Sequence, residues 1–144
     1  MVLNLAIGTL FISVTVLIHT VGLVALSAFI GRLIRWFRLH RHDFGKIVAM
    51  VATVLGIFLL HSVEIWIWAA VYLASGELAS FQDALYFSTV TFSTLGYGDI
   101  TLSRQWRLLG SLEGINGFIL IGWSIAYLVA ASTRHGPFRT GEHF

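Results

Sequence analysis

Cysteine is absent from the 144 residues, which excludes disulfides, thiol catalysis and zinc–thiolate centres. The single proline, Pro137, lies near the C-terminal end, so no proline kinks the apolar segments before it. Charge is scarce as well. Asp, Glu, Lys and Arg make up 11% of the chain, where soluble domains carry about 25%, and this argues against a water-soluble fold. The net charge of +2 is too small to indicate a nucleic-acid partner. No serine or cysteine triad, phosphate loop or convincing metal-ligand cluster is visible. Neither an enzyme nor a cofactor is expected. Internal repeats and low-complexity segments are also missing.

Hydrophobic residues make up 57% of the chain. They gather in three runs, at 5–30, 47–74 and 108–131, each longer than the roughly 20 residues a bilayer crossing needs. Glu64 and Glu113 interrupt the second and third runs. The first run lacks a basic start and is followed by arginines, so it reads as a retained span rather than a signal peptide. Arg32, Arg35, Arg38, Arg41 and Lys46 follow the first run, and Arg134 and Arg139 follow the third. These seven cations outnumber Arg104 and Arg107 on the other side. The positive-inside bias therefore places the 32–46 loop and the C-terminus in the cytoplasm and the N-terminus outside. Trp66, Trp68 and Tyr72 at one end of the second span, with Trp36 and Phe37 past the first, are expected to form interfacial aromatic belts.

Between the second and third runs, Ser80 and Asp83 have the spacing of a capping box for a helix over 81–93. That helix is too short to cross a bilayer, so it is expected to re-enter from outside. Its C-terminal dipole would then favour a cation near the membrane centre. Thr94, Leu95, Gly96, Tyr97, Gly98 and Asp99 follow it. Gly96 and Gly98 permit the φ values that turn successive carbonyls to one side.

The order span, short helix, Thr-Leu-Gly-Tyr-Gly-Asp, span resembles the pore domain of potassium channels, whose filter is usually Thr-Val-Gly-Tyr-Gly. It is similar to bacterial one-pore-loop channels over about 47–131. The resemblance implies an all-α integral membrane protein with three transmembrane helices, a re-entrant pore helix and a selectivity filter per subunit. It further implies a homotetramer that conducts K+ passively. Carbonyls of Thr94, Leu95, Gly96, Tyr97 and Gly98, with the Thr94 hydroxyl, would replace the ion's hydration shell. Some relatives hold the filter aspartate with a pore-helix glutamate. Here that position is Val90, so Asp99 needs another partner, and Tyr86 is the candidate. Alternatives are a less selective cation channel of the same architecture, or a non-conducting partner or sensor subunit.

The implied organisation is an extra helix with a basic juxtamembrane segment at 1–46, a pore domain at 47–132 and a tail at 133–144. The expected setting is a bacterial inner membrane. On the third span, Gly117 is the candidate gate hinge, and Asn116 and Ser124 are expected to face the cavity. His61, Glu64 and Glu113 are expected to form a polar cluster, or a proton sensor. His19 lies at a depth similar to His61, which raises a paired-histidine haem site as a remote alternative. Arg32, Arg35, Arg38 and Arg41 recur at every third residue. They are read as lipid-facing cations on anionic headgroups rather than as a voltage sensor, because the first span contains no acid.

Overall fold

The computed structural model describes residues 2–36 and 43–135. Phe37, Arg38, Arg41, Pro137 and Arg139 therefore lie outside the described residues. The described chain is helical: α1 (Val2–Trp36), α2 (Asp43–Ala74), α3 (Phe81–Phe92) and α4 (Arg107–His135). Three of these helices, over Val2–Trp36, Phe44–Ala74 and Arg107–Arg134, are long and apolar enough to cross a membrane. Each extends past its apolar run, because backbone hydrogen bonding continues into the flanking polar residues. The chain divides into two compact units.

The first unit comprises Met1–His19 and His61–Ile121. Trp68, Tyr72, Phe92, Leu109 and Leu120 are fully buried in its core. Phe11 meets Trp68 with ring centroids 6.0 Å apart, and Phe87 packs edge-on to Tyr72 at 5.0 Å. This corrects the expected aromatic belt. Trp66 and Trp36 are exposed, but Trp68 and Tyr72 face inward. Their four-residue spacing puts both on one stripe of α2, where ring packing against α1 and α3 holds them.

Within the same unit, Gly110, Gly114 and Gly117 line the face of α4 that meets α3. A Cβ at Gly110 would stand 3.3 Å from the Phe87 ring, and one at Gly114 would stand 3.6 Å from the Thr91 carbonyl oxygen. At Gly117 a Cβ would overlap the Phe92 carbonyl oxygen and lie 2.8 Å from the Phe92 carbonyl carbon. Small residues here let two backbones touch. The start of α1 joins the unit through polar contacts: Asn4 Nδ2 donates to the Gln105 carbonyl, and Asn116 Nδ2 donates to Thr15 Oγ1 at 2.8 Å. Glu77 accepts from both the backbone N–H and the hydroxyl of Ser103, each at 2.9 Å, which ties the loop after α2 to the loop before α4.

The second unit comprises Thr20–Leu60 and Gly122–Phe144. Its α1 and α2 segments interlock by reciprocal notches. The Leu60 side chain sits over Gly22, and the Leu26 side chain sits over Gly56. Ser27 Oγ and Tyr127 Oη share a hydrogen bond of 2.8 Å.

Candidate functional site

The segment after α3 is shaped by the end of that helix. α3 begins where expected: Ser80 caps it, accepting from the Asp83 N–H at 3.0 Å and donating to Asp83 Oδ2 at 2.8 Å. It ends at Phe92, with Ser93 as the C-cap. The next residue, Thr94, has φ +62° and is the only non-glycine residue with positive φ among those described. The Thr94 N–H donates to the Thr91 carbonyl at 3.0 Å, and the Leu95 N–H donates to the Val90 carbonyl at 3.0 Å. This pair of bonds is a Schellman cap, in which the residue at the left-handed position is usually glycine. Val90 is buried and supports the segment through its carbonyl, which also accepts from the Gly96 N–H at 3.2 Å.

Gly96 (φ +57°) and Gly98 (φ +76°) continue the pattern set by Thr94, so positive φ recurs at every second residue. Alternating handedness rotates successive peptide planes in opposite senses, and this is how an extended stretch can present consecutive carbonyls to one side. Glycine adopts the left-handed conformation without steric cost, whereas threonine does so under strain. Thr94, Leu95, Gly96, Tyr97, Gly98 and Asp99 are all exposed in the single chain, and Leu95 and Tyr97 are 59% and 68% accessible.

Beyond the segment, the Tyr86 hydroxyl donates to Asp99 Oδ2 at 2.7 Å. That bond holds the Asp99 carboxyl below the usual carboxylate range and pushes the Tyr86 hydroxyl up. A cleft of about 590 Å³ is lined by Tyr86 and Val90 of α3, by Thr94 and Asp99 of the segment, and by Arg107 and Gly110 of α4.

The expected cluster of His61, Glu64 and Glu113 resolves into two separate ones. Glu64 accepts from His61 Nδ1 at 2.8 Å and from His19 Nδ1 at 2.9 Å. Glu113 instead accepts from the Tyr72 hydroxyl at 2.6 Å and from the Ser88 hydroxyl, so it joins α2, α3 and α4. Both carboxylates are fully buried; imidazoles from α1 and from its own helix solvate Glu64, and hydroxyls from α2 and α3 solvate Glu113. Asn116 and Ser124, expected to face the cavity, are also buried in the chain, Asn116 against Thr15. The amide finds its partner on α1, the helix that precedes the region of resemblance at 47–131. Gly117 is packed against the end of α3, and it is Gly122 that has open space around it.

Sequence reasoning missed Tyr72, Ser88 and Thr15 as polar partners. A hydroxyl in an apolar helix carries no signal of which neighbour it will meet. The exposed Arg32 and Arg35 lie in the last turns of α1.

A family model described as "Ion channel" matches residues 60–134, just over half of the chain. A protein of Bacillus subtilis (strain 168) described as the uncharacterized membrane protein YdjJ is 30% identical over 104 aligned residues. The match takes in 61% of this chain and 30% of that relative, so the chain spans under a third of the relative's length. No solved structure matches. The matched region contains the cluster around Glu113, all of α3, the 94–99 segment and nearly all of α4, and the chain belongs to this ion-channel family.

Proposed function

We propose that the chain is one subunit of a potassium-selective channel, in which four copies set residues 94–98 around a common axis. The observation that carries the reading is the alternation of positive φ at Thr94, Gly96 and Gly98, anchored by the capped end of α3. Alternating dihedrals give a short stretch of backbone the means to turn its oxygens toward one line. Four such stretches supply rings of oxygen that replace a cation's water. Each chain holds one stretch, so a closed ring requires several copies.

Further support comes from apolar exposure. Leu95 and Tyr97 on the segment, with Ile115, Phe118 and Ile119 on α4, are each more than half accessible in the single chain. Neighbouring subunits would cover them. α3 has 12 residues, about 18 Å of helix, against a hydrocarbon core of about 30 Å, so it enters and leaves on one face. In this reading Asp99 and Tyr86 brace the outer mouth and α4 lines the inner cavity. The N-terminus lies outside. Arg32 and Arg35 rest on the cytoplasmic leaflet, where each basic residue contributes about 1 kcal/mol on anionic lipid.

Reconstitution of the purified chain in liposomes tests the assignment. Flux driven by a potassium gradient and absent under a matched sodium gradient is the expected result. Equal flux of both ions gives a less selective cation pore, and no flux of either overturns conduction.

A further inference from the structure

His19 on α1 meets His61 and Glu64 on α2 inside the first unit. Both imidazoles turn Nδ1 to the same carboxylate, one to each oxygen, at 2.9 and 2.8 Å. The rings stack with centroids 5.3 Å apart and planes 30° apart. His19 and Glu64 are fully buried, and His61 is 16% accessible. We propose that these three side chains form a binding site for a divalent transition-metal ion of the zinc class, clipping α1 to α2 beside the end of α3.

Three observations carry this. The donor set is two imidazole nitrogens and one carboxylate oxygen, which suits zinc and its first-row neighbours. Calcium and magnesium prefer all-oxygen sites. The ligand atoms lie within 4.8 Å of one another. An ion held at about 2.1 Å needs them about 3.4 Å apart, a gap that small side-chain rotations close. Finally, a positive charge beside a buried carboxylate offsets its lost hydration. α1 has no lysine or arginine before Arg32, and α2 has none after Lys46. A divalent ion provides that charge while leaving the stacked imidazoles neutral, and two stacked imidazolium ions would repel each other. The partly accessible edge at His61 is the side from which an ion would enter. His61 also packs edge-on to Phe92, the last residue of α3, with centroids 5.7 Å apart. Occupancy is thereby in contact with the helix end that holds Thr94.

The test is Zn2+ titration of the purified full chain in detergent after chelator treatment. Binding is read without conduction, so failure of potassium flux does not bear on it. The expected result is one saturable zinc per chain. It should persist when the other four histidines, His40, His42, His135 and His143, are all replaced by alanine. It should weaken by more than about 100-fold in His19→Ala and in Glu64→Gln, because even changes to groups outside the ligand set cost about 10–100-fold. No saturable binding, binding that survives both ligand variants, or binding lost with the four outer histidines overturns the site. Should either ligand variant lose its helix content, zinc-edge X-ray absorption on the unaltered chain decides. A shell with two imidazoles supports the site, and a shell without them overturns it.

Discussion

At Thr94 a threonine occupies a backbone position that glycine would fill at lower energy. A non-glycine residue in the left-handed region costs about 1–2 kcal/mol, and such strain persists where the side chain serves a purpose. In the proposed channel that purpose is a hydroxyl beside the ion path. Thr94→Gly should leave the thermal midpoint in detergent unchanged, or raise stability by about 1 kcal/mol, while discrimination of potassium from sodium in liposomes falls. An unchanged flux ratio would remove the hydroxyl from the ion path. Asp99 gives a pH prediction. Its carboxyl is depressed by the bond from Tyr86, so the stabilisation it contributes is present above the unfolded value of about 3.9 and is lost as pH falls through the lower folded value. Flux should therefore be insensitive to Asp99 across neutral and mildly acid pH. In Tyr86→Phe the carboxyl protonates at higher pH, and the acid limb of the flux profile should move up. A limb that stays in place would separate Asp99 from the open state. The glycines at 96 and 98 made the alternation legible in the sequence, but the positive φ of Thr94 was not, because threonine seldom adopts it.

At the level of the helices, the glycines of α4 differ in what surrounds them. Gly117 faces the backbone at the end of α3, whereas Gly122 has open space around it. Gly117→Ala must push two helices apart and should lower stability by about 1–3 kcal/mol. Gly122→Ala should be neutral or slightly stabilising, since alanine favours the helix by up to about 1 kcal/mol. Thermal unfolding of both variants in the same detergent checks the contrast, and equal midpoints would contradict the tight α3–α4 contact. The start of α3 was legible from Ser80 and Asp83, because capping is decided by residues three apart. The inward turn of Trp68 and Tyr72 was not. α2 is apolar almost all round, so its pattern does not reveal which stripe faces protein and which faces lipid.

At the scale of the whole molecule, Glu113 links three helices, taking hydroxyl bonds from α2 and α3 while sitting on α4. Glu113→Leu leaves the Tyr72 hydroxyl buried without that partner, while Ser88 keeps the Ile65 carbonyl at 2.9 Å, and should cost about 1–3 kcal/mol. Glu113→Gln keeps an acceptor and should cost less. A thermal midpoint in the leucine variant no lower than in the glutamine variant would show that the Tyr72 hydroxyl finds another partner. Assembly is testable at the same scale. The exposed face of Leu95, Tyr97, Phe118 and Ile119 should be covered by sister subunits, and mass photometry of the purified protein should read four chains per particle. A monomer would leave the 94–98 carbonyls without a ring.

Taken alone, the sequence determined the three apolar helices, the short capped helix between the last two, and the glycine spacing that follows it. Each of these depends on residues close in the chain: the length of an apolar run, a cap three residues from its partner, a backbone angle open to glycine. Tertiary structure alone decided that His19 joins His61 on Glu64, that Glu113 turns to Tyr72 and Ser88, and that Asn116 pairs with Thr15. Those meetings depend on how each helix is rotated and shifted along its neighbour. In a helix apolar on every side, hydropathy does not encode that rotation.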